Sequence, residues 1–162
     1  MMSALGNPNL ARMLALLIFA AATMPLAAAD STMDFADSVG AAWIKAVKAG
    51  DLDAVVKLYA TDAVAWFPDE AQHNGAAAIR ASYKALFEMF TVVDATLSNS
   101  HHFGDAEHRT NWGNFSLTLK QKSDGKTVPM AGRYTDVQEK RDGRWVYVVD
   151  HASAEPAPSP AK

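Results

Sequence analysis

The stretch from Ala46 to Pro68, AVKAGDLDAVVKLYATDAVAWFP, restricts this chain more than any other. Gly50 supplies the left-handed residue on which helices commonly stop, and Asp51 is placed to cap the helix that follows. Leu52, Val55, Val56 and Tyr59 recur at helical spacing. Thr61-Asp62 then breaks the pattern before the strand-like Ala63-Val64-Ala65-Trp66-Phe67. A helix, a glycine joint, a short helix and a strand in immediate succession predict a lid folded onto a curved sheet. Such an arrangement encloses a pocket.

Segment 1–29 reads as a cleaved export signal. Arg12 is its only charge, Met13 to Ala22 is almost purely apolar, and Ala27-Ala28-Ala29 offers the small residues a signal peptidase needs, with Asp30 as the mature start. A transmembrane anchor would need about 20 apolar residues, more than this run has. The expected location is therefore periplasmic or secreted, with no stable membrane anchor after cleavage. Residues 30–153 are expected to form one domain. The stretch 154–162, rich in Pro and Ala, is expected to be a disordered tail. Without residues 1–29, 14 Lys and Arg stand against 18 Asp and Glu, a net charge of −4. No basic stripe remains, so nucleic acid is not an expected partner. The chain has no cysteine, which excludes thiol catalysis and thiolate metal sites and leaves the fold to its core alone.

Phe35, Val39, Trp43, Ala46 and Val47 form an apolar stripe that predicts a first helix from about Ser31 or Asp34 to Ala49. A third helix begins near Asn74-Gly75, with Ile79, Tyr83, Leu86, Phe87 and Phe90 on one face. From Thr91 the period falls to two: Val93, Ala95, Leu97 in one run, Phe115, Leu117, Leu119 in the next, then Val128 to Lys140 and Arg144 to Ser153. Asp124-Gly125 and Asp142-Gly143 lie between runs, the composition of tight hairpin turns. The expected class is α+β, with a four-strand antiparallel meander at the end.

With that order of elements, the segments AGDLDAVVKLYATDA, HNGAAAIRASY and GRYTDVQEKRDGRWVYVVDHAS resemble the nuclear-transport-factor-2-like superfamily. That group includes ketosteroid isomerase, the SnoaL-like polyketide cyclases and the association domain of calcium/calmodulin-dependent protein kinase. The resemblance spans about Asp34 to Ser153. It implies a cone-shaped α+β barrel, a strongly curved antiparallel sheet wrapped by three N-terminal helices, with a pocket at the open end. Strand alternation divides the last strand into Trp145, Tyr147, Val149, His151 and Ser153 on one side and Val146, Val148, Asp150 and Ala152 on the other. The resemblance implies that the second set faces the cone. The first set would then lie on a convex face where relatives form homodimers, with Trp145, Tyr147 and Val149 as the expected contact. His151 at such a contact would make association pH-sensitive.

The same resemblance puts Asp136 where SnoaL-like cyclases carry their acid/base aspartate, and where ketosteroid isomerase keeps an aspartic acid protonated. An aspartate facing an apolar pocket is costly as an anion, so its pKa should rise. Asp150, one strand over, is the second candidate catalytic carboxyl. The structural alternative is that Asp136 bonds Arg133, Arg144 or a backbone group and merely ends the cavity. Trp43, Phe67, Trp112, Tyr134 and Val148 are candidate ligand-binding residues, although ordinary core packing explains aromatic residues equally well. Trp43 stands where the isomerase has its hydrogen-bonding tyrosine, and Phe67 where it has its proton-transferring aspartate. Phenylalanine cannot take a proton, so the resemblance does not extend to steroid isomerisation of that kind. Asn111 and Asn114 are polar in an apolar strand, and alternation alone does not say which way they face.

The histidines are His73, His101, His102, His108 and His151, with no HxH or HxxxH pair. His101 and His102 are adjacent and point to opposite faces of a strand, so no metal site is expected. No cofactor is implied. Two readings follow. One is an exported domain binding a small, mostly apolar molecule, with isomerase-, cyclase- or hydratase-like acid/base catalysis through Asp136 as its active form. The other is a non-catalytic ligand-binding or oligomeric assembly module like the kinase association domain. The residues do not decide whether the chain is an enzyme.

Overall fold

The computed structural model describes residues 38–155. Helix α1 (Val39–Ala49) begins where the Ser38 hydroxyl accepts a hydrogen bond from the Ala41 N–H at 3.0 Å, and it ends at Gly50, whose φ of 63° is left-handed. Glycine takes that conformation without the Cβ clash other residues meet. Asp51 then caps α2 (Leu52–Val56), accepting from the Ala54 N–H at 2.9 Å. The joint and the acidic cap expected between the two helices are both present. Helix α1 starts later than the expected Ser31 or Asp34, because Ser38 is extended and caps it; Phe35, segment 1–29 and nearly all of the tail lie outside the described residues.

Strand β1 (Tyr59–Trp66) starts earlier than the sequence pattern suggests, because Tyr59 opens the strand instead of closing the helix. The Leu58 carbonyl accepts the Tyr147 N–H at 2.8 Å, a bond that draws the chain into the sheet directly after one helical turn. Next come the two-residue β2 (His73–Asn74) and α3 (Gly75–Met89). The long strands β3 (Phe90–Gly104), β4 (His108–Gln121), β5 (Thr127–Arg141) and β6 (Arg144–Ala154) complete the chain. Asp142 (φ 52°) and Gly143 (φ 77°) join β5 to β6 as a two-residue turn with both residues left-handed. That backbone twist matches the twist of the strands it connects.

The strands form one curved sheet in the order β2-β1-β6-β5-β4-β3. The expected meander is β3 to β6, and every neighbouring pair is antiparallel except β1 with β6, which is parallel. The architecture is the α+β cone, but the sheet is open: its outer strands β2 and β3 do not pair with each other. Helix α1 lies against β3 and α3 against β1, so helices supply the wall that a closed barrel would take from strands. Val55, Ala65 and Ile79 have no exposed surface and Leu119 has 1 %, which puts the core between helices and sheet. Among the described residues no helix is long and apolar enough to cross a membrane.

One irregularity overturns an expectation. Val137 faces Val149, whereas the next residue, Gln138, faces Tyr147, so Val148 is an extra residue on β6. Such a bulge shifts the alternation of every residue beyond it. Tyr147 and Trp145 consequently share the concave side with Asp150 and Ala152. Tyr147 is 5 % exposed and packs on Tyr59, with ring centroids 5.0 Å apart. Trp145 lies beneath the Arg109 guanidinium, 3.8 Å from it. The outward patch expected from Trp145, Tyr147 and Val149 thus loses both aromatic members.

Candidate active site

The concave side of the sheet leaves a cavity of about 120 Å³. Its wall is mostly apolar, with Val47, Leu86, Leu97, Phe115, Leu117 and Met130 contributing; of its three carboxyls Glu70 is bonded to His73 and Ser82, and Asp136 and Asp150 are set into the sheet. Register explains their position. Asp136 of β5 lies directly opposite Asn111 of β4 on one side and Asp150 of β6 on the other. Directly paired residues project from the same face of a sheet, so all three enter the cone together.

Asp136 is 4 % exposed. Its Oδ1 accepts two hydrogen bonds, from Asn111 Nδ2 at 2.6 Å and from Gln138 Nε2 at 2.8 Å. No other described side chain bonds the carboxyl, and no wholly buried side-chain nitrogen or oxygen among the described residues lacks a partner. Oδ2 therefore faces open cavity space. Neither arginine considered from the sequence neutralises this group: Arg144 donates to the Lys57 carbonyl, and Arg133 is exposed. Burial without a cation pushes the Asp136 pKa up to about 7; the nearby Asp150 charge adds to the rise, and the Asn111 and Gln138 hydrogen bonds oppose it.

Asp150 ends a line of directed hydrogen bonds. Tyr59 donates to its Oδ2 at 2.6 Å, the Tyr59 and Tyr83 hydroxyls are 3.0 Å apart, and Trp43 Nε1 donates to the Tyr83 oxygen at 2.8 Å. An indole N–H can only donate, and the Tyr59 proton is committed to the carboxylate, so the Tyr83 proton points to Tyr59. Burial raises the Asp150 pKa to about 6, against the lowering effects of the Tyr59 hydrogen bond and of His151. Burial likewise pushes both tyrosines upward, so they remain protonated donors. Tyr59→Phe removes a bond that favours the Asp150 anion, and the Asp150 midpoint should move above 6. A carboxyl carbon-13 titration reads this directly; an unchanged or lowered midpoint would contradict the line of donors.

Trp43, Phe67 and Tyr134 also line the cavity. The Trp43 N–H is spent on Tyr83, Phe67 stands edge-on to Tyr83 at 5.2 Å, and Tyr134 donates to Ser100 at 2.9 Å. Two expected ligand-binding residues do not reach it. Trp112 is 41 % exposed and stacks on His101 at 5.8 Å, because Asn111 takes the inward place in β4 and alternation turns its neighbour outward. Val148 is the bulge residue and is not part of the wall. The sequence reading missed Tyr59, Tyr83 and Tyr147 as site residues. Gln138 was legible, being two residues from Asp136 on one strand; Tyr147 was not, since the bulge hid its face. Among the described residues no three His, Asp or Glu side chains are grouped as metal ligands.

A model of the SnoaL-like domain family matches residues 41–148. No curated protein matches the chain. Solved structures do. A Xanthomonas campestris protein provisionally assigned as a calcium/calmodulin-dependent protein kinase II association domain is 27 % identical, with a TM-score of 0.58 over 70 % of this chain and 81 % of that one. A protein provisionally assigned as an aromatic ring hydroxylase, from Novosphingobium aromaticivorans, is 22 % identical with a TM-score of 0.66, covering 74 % and 85 %. A ketosteroid isomerase-like protein from Erwinia carotovora atroseptica is 19 % identical with a TM-score of 0.62, covering 74 % and 92 %. Names this diverse on one scaffold select no single chemistry. What they share is the curved sheet and its helices, and with the family model covering more than half of its length the chain belongs to the SnoaL-like domain family, on the nuclear-transport-factor-2-like fold.

Proposed function

We propose that this domain is exported, binds a small, mostly apolar carbonyl compound in the cone, and moves a proton at the carbon beside the carbonyl through Asp136. One observation carries the reading: Asp136 has one oxygen fixed by two neutral amides and the other open to an apolar cavity. Because Oδ1 already accepts two N–H groups, a proton on this carboxyl sits on Oδ2. A single atom thus alternates between donor and acceptor at the cavity surface. A carboxyl whose pKa is about 7 holds both forms near neutral pH, the condition under which a general acid/base works best. Asp150, held by Tyr59, is the second carboxyl of the site and can take or return the proton that the first releases. Likeness to the isomerase-like fold supports cofactor-free proton transfer, whereas Phe67 argues against steroid isomerisation by the isomerase's own layout.

Acetophenone in D₂O is a suitable probe, with its methyl protons followed by NMR. The protein should accelerate their exchange, and Asp136→Asn should lower the rate by about 100-fold or more, the usual contribution of a positioned acid/base group, with an unchanged circular dichroism spectrum. Exchange at the buffer rate, while tryptophan fluorescence shows acetophenone bound, would overturn the catalytic reading. A second reading, a ligand-binding or assembly module, is favoured by the 27 % identity to the association-domain structure. Native mass spectrometry showing a ring of several copies, or a retained small molecule without exchange, would select it.

A further inference from the structure

A second chamber of about 190 Å³ adjoins the cavity, and Leu97, Tyr134 and Asp136 line both. Its other walls differ in chemistry from those of the first: Ser100, His102, Asn111 and Gln138 replace the aliphatic and aromatic side chains. Gln138 is 4 % exposed, and its Nε2 is spent on Asp136. Its Oε1 has no hydrogen-bond partner, yet no wholly buried side-chain oxygen among the described residues is unsatisfied. That oxygen therefore opens into the chamber that Gln138 lines. Asn111 is in the same position, its Nδ2 donating to Asp136 and its Oδ1 unused. Ser100 accepts the Tyr134 hydroxyl at 2.9 Å and keeps its own proton to donate.

We infer that the ligand is amphiphilic, with an apolar body in the first cavity and an uncharged, hydroxyl-bearing head in the second, joined across Asp136. The inference rests on the ligand-binding reading above and names the class of molecule. Two amide oxygens accept from a hydroxyl, and the Ser100 hydroxyl donates back to it. Among the described residues the chamber wall offers an anionic head no Lys or Arg, only the imidazoles of His101 and His102, and sets the Asp136 carboxyl against it. A cationic head would have to leave water for a chamber whose one carboxyl is partly neutral and already bonded by two amides. A purely apolar molecule would cover the two amide oxygens without giving either a partner, a loss comparable to the whole value of the missing hydrogen bonds.

Four probes with one body and different heads test this at pH 7.5: butylbenzene, 4-phenylbutan-1-ol, 4-phenylbutylamine and 4-phenylbutyrate, with Kd measured by calorimetry. The alcohol should bind about tenfold more tightly than butylbenzene, the worth of one to two net hydrogen bonds, and more tightly than the amine or the acid. Ser100→Ala should reduce the alcohol's advantage over butylbenzene, both affinities being measured on the same variant, and it does so without touching an Asp136 contact. Equal affinity of alcohol and butylbenzene, or tightest binding by the amine or the acid, would overturn the inference and leave the cavity reading standing. Failure of all four to bind would remove both.

Discussion

Asp136→Asn should make the domain more stable at pH 8, by up to about 4 kcal/mol, at the same time as it removes the proposed proton transfer. The reason is linkage between ionisation and folding. In the unfolded chain this carboxyl titrates near 3.8, and in the folded domain near 7. Between those values the folded state holds a proton that the unfolded chain has released, so stability falls as pH rises, by roughly 1.4 kcal/mol for each unit. The loss begins above pH 4 and is complete above pH 7. Asp150, raised to about 6, acts with the same sign over a narrower range. Exposed Asp62, Asp94, Asp105 and Asp124 are lowered by hydrogen bonds from Arg141, Lys48, backbone amides and Lys126, so they act with the opposite sign and only in the acid range. Asparagine keeps an oxygen for the Asn111 and Gln138 donors and removes the charge. Guanidinium unfolding at pH 4.5 and 8 is the measurement. The two proteins should be similar in acid and diverge in base. A variant less stable than the parent at pH 8 would mean that the parent carboxylate has compensation which the site does not display. A substitution that stabilises the fold by removing a buried charge is the pattern expected where a site retains a group the fold would do better without.

Gly132→Ala should lower stability by at least about 3 kcal/mol, at or beyond the upper end of ordinary overpacking. Added to the backbone at this position, a Cβ would lie 2.0 Å from the Ser153 carbonyl oxygen and 2.7 Å from Phe115 Cε1. The oxygen is main chain of β6, which cannot retreat without breaking the ladder that pairs Arg133 with Ser153 and Gly132 with Ala154. Phe115, directly opposite Gly132 on β4, lays its ring over the glycine and forms part of the cavity wall. The missing side chain on one strand is thus filled by an aromatic ring from its neighbour. The substitution should therefore weaken ligand binding as well as folding. Urea unfolding with a loss below about 1 kcal/mol would show that β6 yields more easily than its pairing suggests.

Much of the fold was legible because its determinants are local. Gly50 ends α1, Asp51 caps α2, and Asp142-Gly143 turns β5 into β6, each through groups within four residues of one another. Alternation along β5 was sufficient to place Tyr134, Asp136 and Gln138 on one face, since that strand pairs with β4 without interruption. It failed in β6, where the extra residue Val148 is visible only once Val137 and Gln138 have been matched to their partners. It failed for the tyrosines too. Tyr59 has helical spacing after Leu52 and Val55, but the Leu58 carbonyl is claimed by the Tyr147 N–H, far along the chain.

By itself, then, the sequence determined the α+β class, the order of the main elements, the joint and cap between α1 and α2, the hairpin turn, and that Asp136 shares one face of β5 with Tyr134 and Gln138. Those follow from steric and hydrogen-bonding preferences of neighbouring residues; that this face is the inner one was implied by the family resemblance. Tertiary structure alone decided that Asp136 faces Asp150, that neutral amides rather than arginines hold it, that three aromatic side chains line up their donors on Asp150, and that two chambers of unlike chemistry meet at one carboxyl. Each of these depends on strand register across 12 or more residues and on what burial removes from water, neither of which any short window of sequence contains.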